Sequence, residues 1–74
     1  MIKVGQIYKQ QNGEIFVITQ IFHLRHMSVV YPDGYVQNHD LKEENENFLF
    51  HRKIAEYPTW QEAVNSKEFN GEKA

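Results

Sequence analysis

Residues 14–22, EIFVITQIF, constrain the fold more than any other part of this chain. β-Branched and aromatic side chains fill the stretch, which suits an extended strand. Side chains alternate between faces along a strand, so Ile15, Val17, Thr19 and Ile21 share one side. Phe16, Ile18, Gln20 and Phe22 share the other. Both sides are largely apolar, which predicts a central strand of a curled sheet. A flat sheet with one wet face would alternate more cleanly.

The flanking residues place further strands around it. Val4, Ile7 and Tyr8 open a short strand after Gly5, and Gln10-Gln11-Asn12-Gly13 forms a turn, because Asn-Gly supplies positive φ. MSVVY at 27–31 reads as a strand. Tyr31-Pro32-Asp33-Gly34-Tyr35 then reads as a turn joining it to 35–38, with proline, aspartate and glycine each at a suitable position. FLFHRKIA at 48–55 is expected as the last strand, with Phe48, Phe50 and Arg52 on one face.

The period then changes. Thr59 is placed to cap a helix, and Glu62 three residues later completes a capping box. Trp60, Ala63 and Val64 fall on one helical face, Phe69 anchors the exit, and Asn70-Gly71 stops the helix. The reading is a single domain over 1–74: strands within about 4–55, one helix over about 59–68 and a frayed tail at 70–74. Short strands joined by tight turns at this length predict a mostly β fold. The expected form is a small SH3-like barrel of four to five antiparallel strands with one C-terminal helix. The alternative is an open antiparallel sheet with the helix across one face.

Composition narrows the chemistry. With 74 residues the core is small, and a stability of about 5 kcal/mol is expected. The absence of cysteine removes disulfides, thiolate metal sites and a thiol nucleophile, and fits a cytoplasmic protein. No signal-peptide pattern opens the chain, and its longest apolar stretch is too short for a membrane span.

Four histidines raise the question of a metal. His23 and His26 are three apart, which on a strand sends them to opposite faces, and His39 and His51 lie too far along the chain for spacing alone to relate them. They read as surface or rim imidazoles, and no metal or cofactor is expected. No nucleophile motif, phosphate loop or paired His-Glu helix occurs, and Ser28 and Ser66 are the two serines. Asp33 is explained by its turn and Glu62 by its cap. The chain reads as a non-enzyme.

Charge separates the remaining classes. Tyr8, Phe22, Tyr31 and Tyr35, with Lys9, Arg25 and Arg52, would suit a single-strand nucleic-acid platform. The net charge of −2 argues against that alternative. Residues 40–46 hold Asp40, Glu43, Glu44 and Glu46 against Lys42 alone, which concentrates the negative charge in one run. That run suits a surface which occupies a basic site built for DNA. The next residues, Glu46-Asn47-Phe48-Leu49-Phe50, end in the Leu-Phe pair of the peptide by which bacterial proteins enter the sliding-clamp pocket, without its leading glutamine. Asp40, Glu43, Glu44, Glu46, Phe48 and Phe50 are therefore the candidate partner-binding residues. The plainer reading makes 40–50 a solvated loop entering a buried strand. Trp60 with Ala63 and Val64 either closes the barrel or offers a stripe for self-association as a homodimer.

KVGQIYKQQNGEIFVITQI at the front and IAEYPTWQEAVNSKEF at the back resemble small proteins encoded by phages of Gram-positive bacteria. More narrowly, the chain resembles the small phage inhibitors of the host DNA polymerase sliding clamp in staphylococci. The resemblance implies a host protein as partner. It also implies that Asp40, Glu43, Glu44 and Glu46 meet the basic groups lining the channel of the clamp and exclude DNA.

Overall fold

The turn residues set the strand boundaries. In the computed structural model, which describes residues 2–22, 26–40 and 52–71, Gly13 N–H donates to the Gln10 carbonyl at 2.9 Å. That turn joins β1 (Gln6–Lys9) to β2 (Ile15–Phe22). β3 (His26–Val30) is joined to β4 (Val36–Asp40) by the Pro-Asp-Gly turn, where Gly34 N–H donates to the Tyr31 carbonyl at 2.8 Å. β5 (Arg52–Glu56) precedes two short helices, α1 (Trp60–Val64) and α2 (Lys67–Asn70).

All the pairings are antiparallel, and the strand order is β4-β3-β2-β1-β5. The doubly apolar β2 is central, as its sequence requires. β5 returns beside β1, pairing Ile7 with Ala55, so β4 and β5 remain the two edges. The sheet is open, which corrects the expectation of a closed SH3-like barrel. The architecture is an open antiparallel sheet with helices across one face.

A bulge changes the reading of β2. Ile18 pairs with Val29 and Gln20 pairs with Ser28, which leaves Thr19 as the extra residue, its hydroxyl donating to the Ser28 carbonyl at 3.2 Å. An extra residue reverses the alternation beyond it. Ile21 therefore joins the side of Phe16 and Ile18, not the side of Ile15 and Val17. Tyr8, Phe16, Ile18, Met27 and Val29 form one core, with Ile2, Val4, Ile21 and Tyr31 packed against it. On the opposite face Ile7 and Val17 meet Ala63 and Phe69 from the helices.

The single helix expected over about 59–68 is two helices. Thr59 caps α1 as expected, accepting from Glu62 N–H at 3.1 Å. The chain then turns extended at Ser66, whose hydroxyl donates to the Ala63 carbonyl at 2.6 Å and accepts from Phe69 N–H at 3.2 Å. Serine competes with helix continuation by such local bonding, and here it starts a new helix. No helix among the described residues is long and apolar enough to cross a membrane.

Two exposed contacts fasten the exit of β5. Tyr57 donates its hydroxyl to the Glu68 carboxylate, which holds that carboxyl below its ordinary value and the Tyr57 phenol above. Lys53 bonds Glu56 at 3.1 Å and lowers that carboxyl too. A carboxyl whose folded pKa is depressed stabilises the fold above its unfolded value, and that contribution is lost as pH falls through the folded value. Urea midpoints should therefore hold steady from pH 7 down to the ordinary carboxyl value of 4.5 and decline below it. Glu68→Gln should shallow that decline; an unchanged slope would show that the Tyr57–Glu68 bond contributes nothing.

Candidate protein-binding surface

The β3–β4 turn carries the most distinctive surface of the described chain. Pro32 presets the turn, and the Asp33 carboxylate accepts from Tyr35 N–H at 2.9 Å, so the sequence rigidly fixes what this loop presents. Tyr35 (58% exposed) and Val36 (57%) follow it, and Trp60 at the start of α1 is 36% exposed. Among the described residues, three of the four large apolar side chains left exposed thus stand at this turn or on the groove beside it; Phe22 is the fourth.

Two grooves flank the turn and share Tyr31 and Pro32 as a wall. The first, about 510 Å³, is lined by Val30, Pro32, Val36, Trp60, Val64 and Phe69 among others, and none of the described residues lining it is charged. The second, about 500 Å³, lies toward the β1–β2 turn and includes Glu14, Tyr35 and Gln37. A half-exposed tryptophan beside branched aliphatic residues in an uncharged groove has the composition of a binding hot spot.

Of the residues singled out from sequence, Asp40 is the last residue of β4, where it pairs with His26. Glu43, Glu44, Glu46, Phe48 and Phe50 lie outside the described residues, as do Arg25, His23 and His51. His26 is exposed on β3, and His39 on β4 stacks on Phe16 with centroids 6.1 Å apart. Among the described residues no group of three or more His, Cys, Asp or Glu could hold a metal. Both serines have structural partners: Ser28 bonds Asn38 at 2.5 Å, and Ser66 caps α2.

The tyrosines proposed as a nucleic-acid platform are divided. Tyr8 is buried, stacked on Phe16 at 6.0 Å, and burial raises its phenol pKa. Tyr31 and Tyr35 remain together, 5.9 Å apart. Lys9 and Arg52 pair across β1 and β5.

The sequence leaves Trp60, Ala63 and Val64 either closing the barrel or forming an exposed stripe; the structure divides them, with Ala63 fully buried, Val64 half-buried and Trp60 36% exposed. What sequence reasoning missed is the groove that Trp60 lines together with Val36. The chain matches no protein-family model, no curated protein and no solved structure.

Proposed function

We propose that this chain is a non-enzymatic protein-interaction module. Its partner on this reading is a bacterial DNA polymerase sliding clamp, whose DNA-facing site it blocks as an inhibitor of the kind phages make against their hosts. The observation that carries the proposal is the course of β4. This strand starts at Val36, in the uncharged groove beside Trp60, and ends at Asp40, the first carboxylate of the acidic run. At ~3.4 Å per residue the two are about 14 Å apart. The strand thereby joins an apolar anchor at its start to the residue at which the acidic run begins in sequence, a division of labour common in protein recognition. The anchor supplies affinity, and the charge supplies steering and discrimination.

The carboxylates add little affinity singly. An exposed ion pair is worth ~0.2–1 kcal/mol, so several together speed association and supplement apolar contacts. The resemblance of the two chain ends to phage proteins supports the clamp as target, and the negative run suits a channel that receives phosphates.

The test is a titration of purified staphylococcal clamp as salt rises from about 0.05 M to about 0.3 M, which shortens the screening length to below about 6 Å. Affinity should fall at least about tenfold, and reversing Glu43 and Glu44 to lysine should weaken low-salt binding by about as much, roughly 1.4 kcal/mol. Binding indifferent to salt and to the reversals would remove the electrostatic reading. If Phe50→Ala instead abolishes binding with the fold intact, the Leu-Phe peptide is the determinant.

A further inference from the structure

We infer that the groove between the β1–β2 and β3–β4 turns binds the guanidinium of an arginine side chain presented by a partner protein. This goes beyond the acidic run at 40–46 and concerns a different surface.

Its walls are ready to receive a cation. Tyr31 is fixed from both sides: its hydroxyl accepts from Gln10 Nε2 at 3.0 Å and donates to Gln37 Oε1 at 3.2 Å. Its ring meets Phe16 edge-on, with centroids 5.9 Å apart. Tyr35, the more exposed partner at 58%, is tilted 37° to Tyr31 at 5.9 Å, and both rings line the groove, with Tyr35 the ring accessible to a ligand. A cation over a tyrosine face is attracted by the ring quadrupole.

Among the described residues the charge lining the groove has one sign: Glu14 and Asp33 line it, and no described cation does. Both carboxylates are positioned by local bonds, Asp33 by Tyr35 N–H at 2.9 Å and Glu14 by the Asn12 amide at 3.4 Å. An ionised carboxylate has about four acceptor positions, so each retains capacity for a ligand. Gln37 adds a further polar group to the lining.

This combination selects the ligand. Phosphate or carboxylate would be repelled by Glu14 and Asp33, and a wholly apolar side chain would leave them unanswered. An ammonium would satisfy the charge as a point. A guanidinium does more, because it is planar, stacks on an aromatic face, and presents donors around its edge to carboxylates on either side. A protein partner can offer such a side chain, and a surface groove of about 500 Å³ has room for a projecting residue.

The experiment titrates N-acetyl-arginine amide into the ¹⁵N-labelled chain and follows backbone amide shifts. The reference ligand is N-acetyl-citrulline amide, which has nearly the same shape without the charge. Arginine should bind at about millimolar concentration, moving the amides of Gly13, Glu14 and residues 33–37 while citrulline moves them far less. Glu14→Gln combined with Asp33→Asn should weaken binding about fivefold or more. Asparagine still accepts from Tyr35 N–H, so the turn is kept. Tyr35→Ala, at an exposed ring, should weaken it as well. Equal shifts with citrulline, shifts scattered beyond the groove, unchanged affinity in the double variant, or no response to arginine would each overturn the assignment. No clamp enters this experiment, so its failure leaves the proposed function standing, and loss of clamp binding leaves this groove untouched.

Discussion

Gly5→Ala is expected to destabilise the protein by at least about 3 kcal/mol, most of what a domain of this size has to lose. Gly5 sits at φ 95°, where an L-residue is strained by ~1–2 kcal/mol. Strain is the smaller part. A Cβ at this position would lie 2.3 Å from the Tyr57 carbonyl oxygen, and backbone does not yield as a flexible side chain does. Gly5 N–H donates to the Ile18 carbonyl at 2.9 Å, and its own carbonyl accepts from Tyr57 N–H at 3.0 Å. Moving either segment to relieve the clash breaks those bonds, at ~1–3 kcal/mol for a buried group left unsatisfied. Gly13 is the internal control: it also has positive φ, 91°, but a Cβ there meets nothing within 4 Å. Gly13→Ala should cost only the strain. Equal losses in urea unfolding would mean that the segment after β5 is not docked on Gly5.

Phe16→Ala is expected to cost about 3–5 kcal/mol, the range for truncating a buried phenylalanine. Its ring is 1% exposed and stands between Tyr8, Tyr31 and His39, each with its centroid about 6 Å away. Truncation leaves a cavity and removes three aromatic contacts worth ~0.5–1.5 kcal/mol for a well-placed pair. Because Tyr31 also walls both grooves, the loss should carry into the surface, and the amides of residues 31–37 should shift in the same variant. Phe22→Ala provides the contrast, since Phe22 is 36% exposed at the end of β2. It should cost under about 1 kcal/mol. Similar losses at Phe16 and Phe22 would contradict the two-faced core.

The turns and the central strand were legible because their signals are local. Asn12-Gly13 and Pro32-Asp33-Gly34 each require a backbone shape that few other residues provide, and β2 announces burial on both faces by composition alone. Phe69 was legible for the same reason, as an apolar residue just before a glycine stop. The bulge at Thr19 was not, because an extra residue in a ladder depends on which strand lies opposite, and β3 is not visible from within β2. The break at Ser66 was equally obscured: its hydroxyl serves a cap only once Ala63 and Phe69 are pinned against Ile7 and Val17. Openness of the sheet is a question of global pairing, settled by β5 choosing the free side of β1. The groove depends on Val36 and Trp60, far apart in sequence, coming to line one space, which periodicity within one element does not register.

The most direct test of the proposed function is competition. Staphylococcal clamp is assembled on labelled duplex DNA, the chain is added in increasing amounts at low salt, and bound DNA is followed by fluorescence anisotropy. The account predicts that DNA is released as the chain binds. Trp60→Ala and the Glu43/Glu44 reversal should each require more protein for the same release. If the clamp holds DNA and the chain together, or does not bind the chain at all, the acidic run has no role in blocking a DNA site and the proposed function falls.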